Sequence, residues 1–83
     1  MIFISATSQD NWRAYQLGDI CNLTITNDSA TNVLSVGSNG QVTDLAELFA
    51  GESQTFLNIS LRELYIKSKV AGQSVNFRVN GWS

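Results

Sequence analysis

The amino-acid sequence predicts an all-β protein: a small antiparallel β-sandwich, jelly-roll-like or Ig-like, with at most one short helical turn and an extended N-terminal segment. Three observations carry this expectation. Apolar residues recur mostly at every second position, turn-forming residues arrive at short intervals, and the 83 residues include no proline to keep a segment from pairing. The pattern gives about seven or eight short strands, near the spacing of roughly 8 to 12 residues expected of a sandwich or small barrel.

Taken in order, Ile2 to Ile4 is a β-prone start, and Thr7 to Asn11 is a turn rich in Ser, Gln and Asp. Trp12 to Leu17 is either a second strand or part of an extended arm, ending at Gly18 and Asp19. The clearest alternation follows. Ile20, Asn22, Thr24 and Thr26 interleave with Cys21, Leu23 and Ile25, so one face turns Cys21, Leu23 and Ile25 inward. Asn27 to Ala30 closes that strand, because Asx and Ser side chains favour turns. Asn32 to Val36 is the next strand, stopped by Gly37-Ser-Asn-Gly40, and the spacing suits a hairpin with a loop of about four or five residues.

Val42 to Gly51 is the one helix candidate. Val42, Leu45, Leu48 and Phe49 lie at helical spacing behind Thr43 as a cap, and the alternative is a loop that pins Leu45 and Leu48 into the core. Gly51-Glu52-Ser53 makes a turn before a strand from Gln54 to Ile59, with Phe56 inward. Leu64 to Ser68 and Ser74 to Val79, joined by a turn from Val70 to Gln73, read as a terminal hairpin. On its last strand Val75, Phe77 and Val79 share one face and Asn76, Arg78 and Asn80 the other. The domain organisation is one body from 20 to 83, with residues 1–19 as an N-terminal arm or edge strands; no repeat or low-complexity tract marks a second unit.

Size sets the energetics. Chains divide into separate cores only at about 250 residues, so this length makes one domain, and one that buries only about 60–65% of its unfolded surface. Such a domain needs a staple, an unusually good core, or burial against another subunit. Cys21 is the only cysteine and histidine is absent, which argues against an intrachain disulfide and a structural zinc site. Association with copies of itself, as a dimer or trimer, or docking on a larger assembly is therefore expected. The formal net charge is -2, and the basic residues Arg13, Arg62, Lys67, Lys69 and Arg78 form no strong patch. Nucleic-acid binding, which releases counterions from a basic surface, is not expected. Neither a signal peptide nor a membrane span is predicted from Met-Ile-Phe-Ile-Ser and the absence of long apolar runs.

Catalytic chemistry finds little footing. Without histidine, acid–base pairs reduce to Asp44 with Glu47, or Glu52 with Glu63, and each of these reads as a solvated side chain at an element boundary. Cys21 on an inward face, with no base to activate it, reads as a small core hydrophobe. The glycine loop at Gly37 to Gly40 lacks the lysine of a phosphate-binding loop, and the aspartates Asp10, Asp19, Asp28 and Asp44 lack calcium-loop spacing. No catalytic residue, metal or cofactor is predicted. The triplets Asn22-Leu-Thr24, Asn27-Asp-Ser29 and Asn58-Ile-Ser60 match the glycosylation pattern, which arises readily by chance in an Asn- and Ser-rich chain. More telling are the exposed strand positions, which carry Asn, Thr, Ser and Gln. Neutral amides and hydroxyls desolvate more cheaply than charges, so such faces suit close-packed assemblies or carbohydrate contact. Trp12, Tyr15 and Trp82 are candidate interface anchors or sugar-stacking rings, the alternative being ordinary core packing, and Phe3 is a further candidate interface anchor.

Val33-Leu-Ser-Val-Gly37, Leu48 with Gly51-Glu-Ser53, Leu64-Tyr-Ile-Lys67, Ala71-Gly-Gln-Ser-Val-Asn76 and Gly81-Trp82 together carry a resemblance. Over about residues 20 to 82 the chain resembles small virion-associated β-sandwich proteins of tailed bacteriophages. Ser68-Lys-Val70 departs from that pattern as a longer, more charged approach to the last strand. The resemblance implies a structural, homo-oligomeric late protein of the virion, made in the host bacterial cytoplasm. It implies capsid decoration or cementing, with the major capsid protein or another virion protein as partner, and residues 1–19 reaching to a neighbour. The alternative is a tail or fibre module that binds host-surface glycan.

Overall fold

In the structure, a computed structural model that describes all residues from Met1 to Ser83, eight strands and no helix are found. They are β1 (Ile2–Ser8), β2 (Arg13–Gln16), β3 (Asn22–Asn27), β4 (Leu34–Gly37), β5 (Ala46–Leu48), β6 (Ser53–Phe56), β7 (Glu63–Ser68) and β8 (Val75–Trp82). Two antiparallel four-stranded sheets result, one in the order β1-β8-β3-β6 and the other β2-β7-β4-β5. We call them the β8 sheet and the β7 sheet after their longest central strands.

The pairing has one simple origin. Ile2 lies opposite Gly81, Arg13 opposite Ile66, Leu23 opposite Phe56 and Leu34 opposite Leu48, so the chain doubles back on itself close to Gly40 and Gln41. Rolled into two layers, such a doubled chain is a jelly roll. Only β4 and β5 are consecutive strands within one sheet; every other connection crosses between sheets. The hairpins expected between the β3 and β4 segments and between β7 and β8 are accordingly not formed, because in each case the two strands belong to opposite layers.

The alternation read from the sequence does build the core. Val75, Phe77 and Val79 on β8 and Leu23 and Ile25 on β3 turn inward to meet Leu64 and Ile66 on β7, Leu34 and Val36 on β4 and Leu48 on β5. Leu17 completes the cluster. Each such side chain, withdrawn from water, stabilises the fold by about 2 kcal/mol.

The Val42–Gly51 segment forms no helix: it is a loop into the short strand Ala46–Leu48, closed by a turn at Ala50–Gly51. Leu48 is buried and Leu45 packs on the core, but Val42 and Phe49 are about half exposed (50% and 53%), so the apolar residues at helical spacing do not share a buried face. Pairing wins because Ala46–Leu48 satisfies the free edge of β4, with the Leu45 N–H also donating to the Val36 carbonyl at 3.2 Å. Gly37 makes this turn feasible: a Cβ there would run into the Val42 carbonyl oxygen.

Cys21 is half-buried and lies outside the core cluster. It precedes the first paired residue of β3, so the strand's inward alternation has not yet begun, and Ile20 fills the space over Gly81 instead. Residues 1–19 are integrated into the sandwich: β1 pairs with β8 along its whole length, β2 pairs with β7, and each is the outer strand of its sheet.

Two buried polar contacts lock the layers together. The Asn27 amide, at the end of β3, donates to the Leu48 carbonyl on β5 (2.8 Å) and to the Asn32 carbonyl (2.9 Å), while its oxygen accepts from the Ser29 N–H. The Ser8 and Ser68 hydroxyls, on β1 and β7, share a hydrogen bond of 2.8 Å, and Ser8 also accepts from the Val75 N–H. Removing a buried donor strands its acceptors, which costs more than the bond itself contributes. Asn27→Leu is expected to lower the unfolding free energy by about 2–4 kcal/mol, read from the urea midpoint at unchanged slope.

Candidate functional site

The outer face of the β8 sheet gathers the neutral polar residues into rows. One row crosses the sheet as Phe3, Asn80, Thr24 and Thr55, and the next as Ser5, Arg78, Thr26 and Ser53. Hydroxyls meet across strands: Thr24 with Thr55 at 2.9 Å, Thr26 with Ser53 at 2.9 Å, and Thr7 donating to the Asn76 amide oxygen at 2.7 Å. Arg78 is the one cation in these rows, and it is held by Asp28 in a two-pronged contact, Nε to Oδ2 at 2.7 Å and Nη2 to Oδ1 at 2.9 Å. Charge on this face is therefore locally cancelled.

Apolar groups collect at the end of the face away from that ion pair. Phe3 is 62% exposed beside Asn80, and Trp82 is half-buried beside Asn22. Met1 is fully exposed, and Leu57, just past β6, is 63% exposed. Asn22 is held in place by accepting from the Asn58 N–H at 3.1 Å and by donating weakly to the Trp82 carbonyl at 3.4 Å. The arrangement is an aromatic and aliphatic edge bordering fixed amides and hydroxyls.

The four predicted anchor residues do not form a single site. Phe3 and Trp82 share the β8 face. Trp12 lies against the other sheet, its ring 5.5 Å from the Lys67 ammonium and its Cβ close to Gly40, where the Tyr65 ring also approaches. Tyr15 packs edge-on against Phe77 with ring centres 5.5 Å apart, under the Arg13 guanidinium. Sequence reasoning missed Met1 and Leu57, which carried no signal beyond hydropathy. It also missed an apolar cleft of about 220 Å³ lined by Leu23, Leu45, Phe56, Ile59 and Leu61. Leu23, Leu45 and Phe56 bring it to the margin where β5 and β6 close their sheets.

The carboxylates considered for acid–base work are each engaged separately. Glu47 pairs with Lys69 at 2.8 Å, the Glu52 carboxylate accepts from the Phe49 N–H, and Glu63 accepts from the Gln16 amide. Asp44 accepts from both the hydroxyl and the N–H of Ser38, tying the two ends of the β4–β5 loop. No three His, Cys, Asp or Glu side chains gather to hold a metal ion. No helix is long and apolar enough to cross a membrane. Of the three glycosylation triplets, the one at Asn27 is consumed by the fold, since that amide is fully buried and hydrogen-bonded.

The class of protein that fold and surface define is a small jelly-roll sandwich with a neutral, aromatic-edged sheet face. Compared with known proteins, the chain matches no protein-family model, no curated protein and no solved structure.

Two carboxyls have altered acidity. The Ser38 hydroxyl and N–H hold Asp44 below its ordinary value of 3.8, and the hydrogen bond from Arg78 does the same for Asp28. A carboxyl depressed by folding stabilises the protein above its unfolded value and loses that contribution as pH falls through the folded one. In a carbon-detected NMR titration both carboxyls should titrate below 3.8, and Ser38→Ala should return Asp44 toward it while leaving Asp28 unchanged. A thermal midpoint that is flat on acidification through that range would contradict this assignment.

Proposed function

We propose that this protein works by surface contact, as a structural component that decorates or cements a bacteriophage capsid, with the outer face of the β8 sheet as its contact surface. The observation that carries the reading is the chemistry of that face. Two unpaired charges brought to an interface cost several kcal/mol, whereas Thr, Ser and Asn groups already bonded to one another, with Arg78 already matched by Asp28, cost far less to dehydrate. Phe3 and Trp82 supply the apolar anchors that concentrate binding energy in most protein interfaces. The sandwich, small and without a disulfide or metal, gains stability when a partner binds its folded form. The virion as the place of assembly rests on the sequence resemblance over residues 20 to 82.

A second reading draws on the same face. Trp82 beside Asn22, with Asn80 and Thr24 adjacent, offers a ring and neutral hydrogen-bonding groups together, the combination that sugar recognition uses. This is the tail or fibre module binding host-surface glycan.

The two readings separate experimentally. Phe3→Ala and Thr55→Arg alter exposed positions and should leave the fold intact, while each weakens co-sedimentation with capsid shells of the phage that carries this chain by about tenfold or more. Wild-type-like binding by both variants would remove this face from the capsid reading. Binding to a glycan array that Trp82→Phe retains and Trp82→Ala loses would favour the sugar.

A further inference from the structure

The four strands at the sheet edges are not equally guarded. β2 and β6 have four residues each and β5 has three; β2 carries Arg13, β5 carries Glu47 paired with Lys69, and β6 follows directly on Glu52. Such short, charged edges discourage further pairing. β1 is different. It runs seven residues, Ile-Phe-Ile-Ser-Ala-Thr-Ser, with no charge, no proline and no glycine to bend it away.

One side of β1 is satisfied by β8. In an antiparallel ladder alternate residues aim their N–H and C=O groups at the neighbouring strand and the remainder aim them away. No backbone hydrogen bond other than those of the β8 ladder involves any residue from Ile2 to Ser8. The outward groups of β1 are thus an unfilled template of strand length. Its inward residues Ile2, Ile4 and Ala6 are only half-buried, leaving apolar surface at the same rim.

We propose that two copies of this chain join through β1, antiparallel across a two-fold axis at Ser5, so that the two β8 sheets become one continuous eight-stranded sheet. Centred there, all seven residues pair: Ser5 meets Ser5 of the second copy, Ile4 meets Ala6, Phe3 meets Thr7 and Ile2 meets Ser8. The strand is self-complementary, as a two-fold interface requires, and carries no like charges to oppose the pairing. The union also brings two neutral faces into one surface, so a repeating partner is gripped at two points, which raises avidity without any new contact. This consequence rests on the assembly reading above; the pairing itself does not.

The test uses the full chain by itself. Light scattering over a concentration series should give twice the 9.1 kDa of one chain for the wild type, and a single-chain mass for Ser5→Lys, which sets two ammonium groups face to face on the outer surface. Circular dichroism checks that Ser5→Lys remains folded. If it does not, Ser5→Cys in a Cys21→Ser background decides. Directly opposed residues in such a ladder have Cα atoms about 4.5–5.5 Å apart, within disulfide reach, so oxidised glutathione should yield a covalent dimer. A wild-type monomer or trimer, a dimer that folded Ser5→Lys leaves intact, or a Ser5→Cys protein that does not cross-link would each overturn the proposal. A dimer that fails to bind capsid shells would instead count against the proposed function alone.

Discussion

The antiparallel doubling of the chain about Gly40 is the constraint on which the rest of the molecule depends. It places residues from opposite ends of the sequence side by side, Ile2 against Gly81 and Ser8 against Val75, and it decides which strands become central and which become edges. Because the last strand falls between the first and the third, the longest strand of the protein is sheltered while β1 is left outermost. Phe3 and Trp82 become neighbours on one face by the same step. The apolar alternation then needs only to point the same way on both layers for a closed core to form, and it does: Phe77 from one sheet and Leu64 and Ile66 from the other lie fully within it.

Chain doubling alone would leave two layers free to slide, since aliphatic contacts are weakly directional. Asn27 and the Ser8–Ser68 pair supply direction. Both are buried, both bridge β8-sheet strands to β7-sheet strands, and no buried side-chain polar atom is left without a partner. A satisfied polar bridge in a dry setting fixes one arrangement at little net cost, whereas a half-satisfied one would be worse than a methyl group. With charge kept to the surface and Arg78 paired there with Asp28, the Thr24–Thr55, Thr26–Ser53 and Thr7–Asn76 side chains on the β8 sheet are neutral and already hydrogen-bonded.

Much of this was legible in the sequence, and the physical reason is that side-chain alternation is local. Val75-Asn-Phe-Arg-Val79 and Leu23-Thr-Ile25 declare their inward residues within a few positions, and the structure buries those residues. Strand partnership is not local. The connection from Asn27 to Leu34 and that from Ser68 to Val75 have the length and composition of hairpin loops, yet each carries the chain across to the opposite layer, which a few residues can span as readily as they can turn. Three-residue β5 was hidden behind helical spacing because its pairing is dictated by the open edge of β4. Cys21 and Ile20 exchanged roles because alternation read from one end of a strand does not reveal where pairing begins. The polar composition of the candidate face was plain, but not that Phe3 would border it, since that follows from the pairing of the two chain ends.

β1 is a structural edge strand, bonded on one side to β8 and open on the other. Residue-resolved amide hydrogen exchange along Ile2–Ser8 tests it most directly. At dilution the account predicts alternation, with the N–H groups directed at β8 protected like the rest of that sheet and those directed outward exchanging freely; at high concentration the outward set becomes protected as well. Uniformly rapid exchange along β1 at every concentration would contradict it, for the segment would then be a loose arm and neither the fold-back pairing nor the edge built from it would stand.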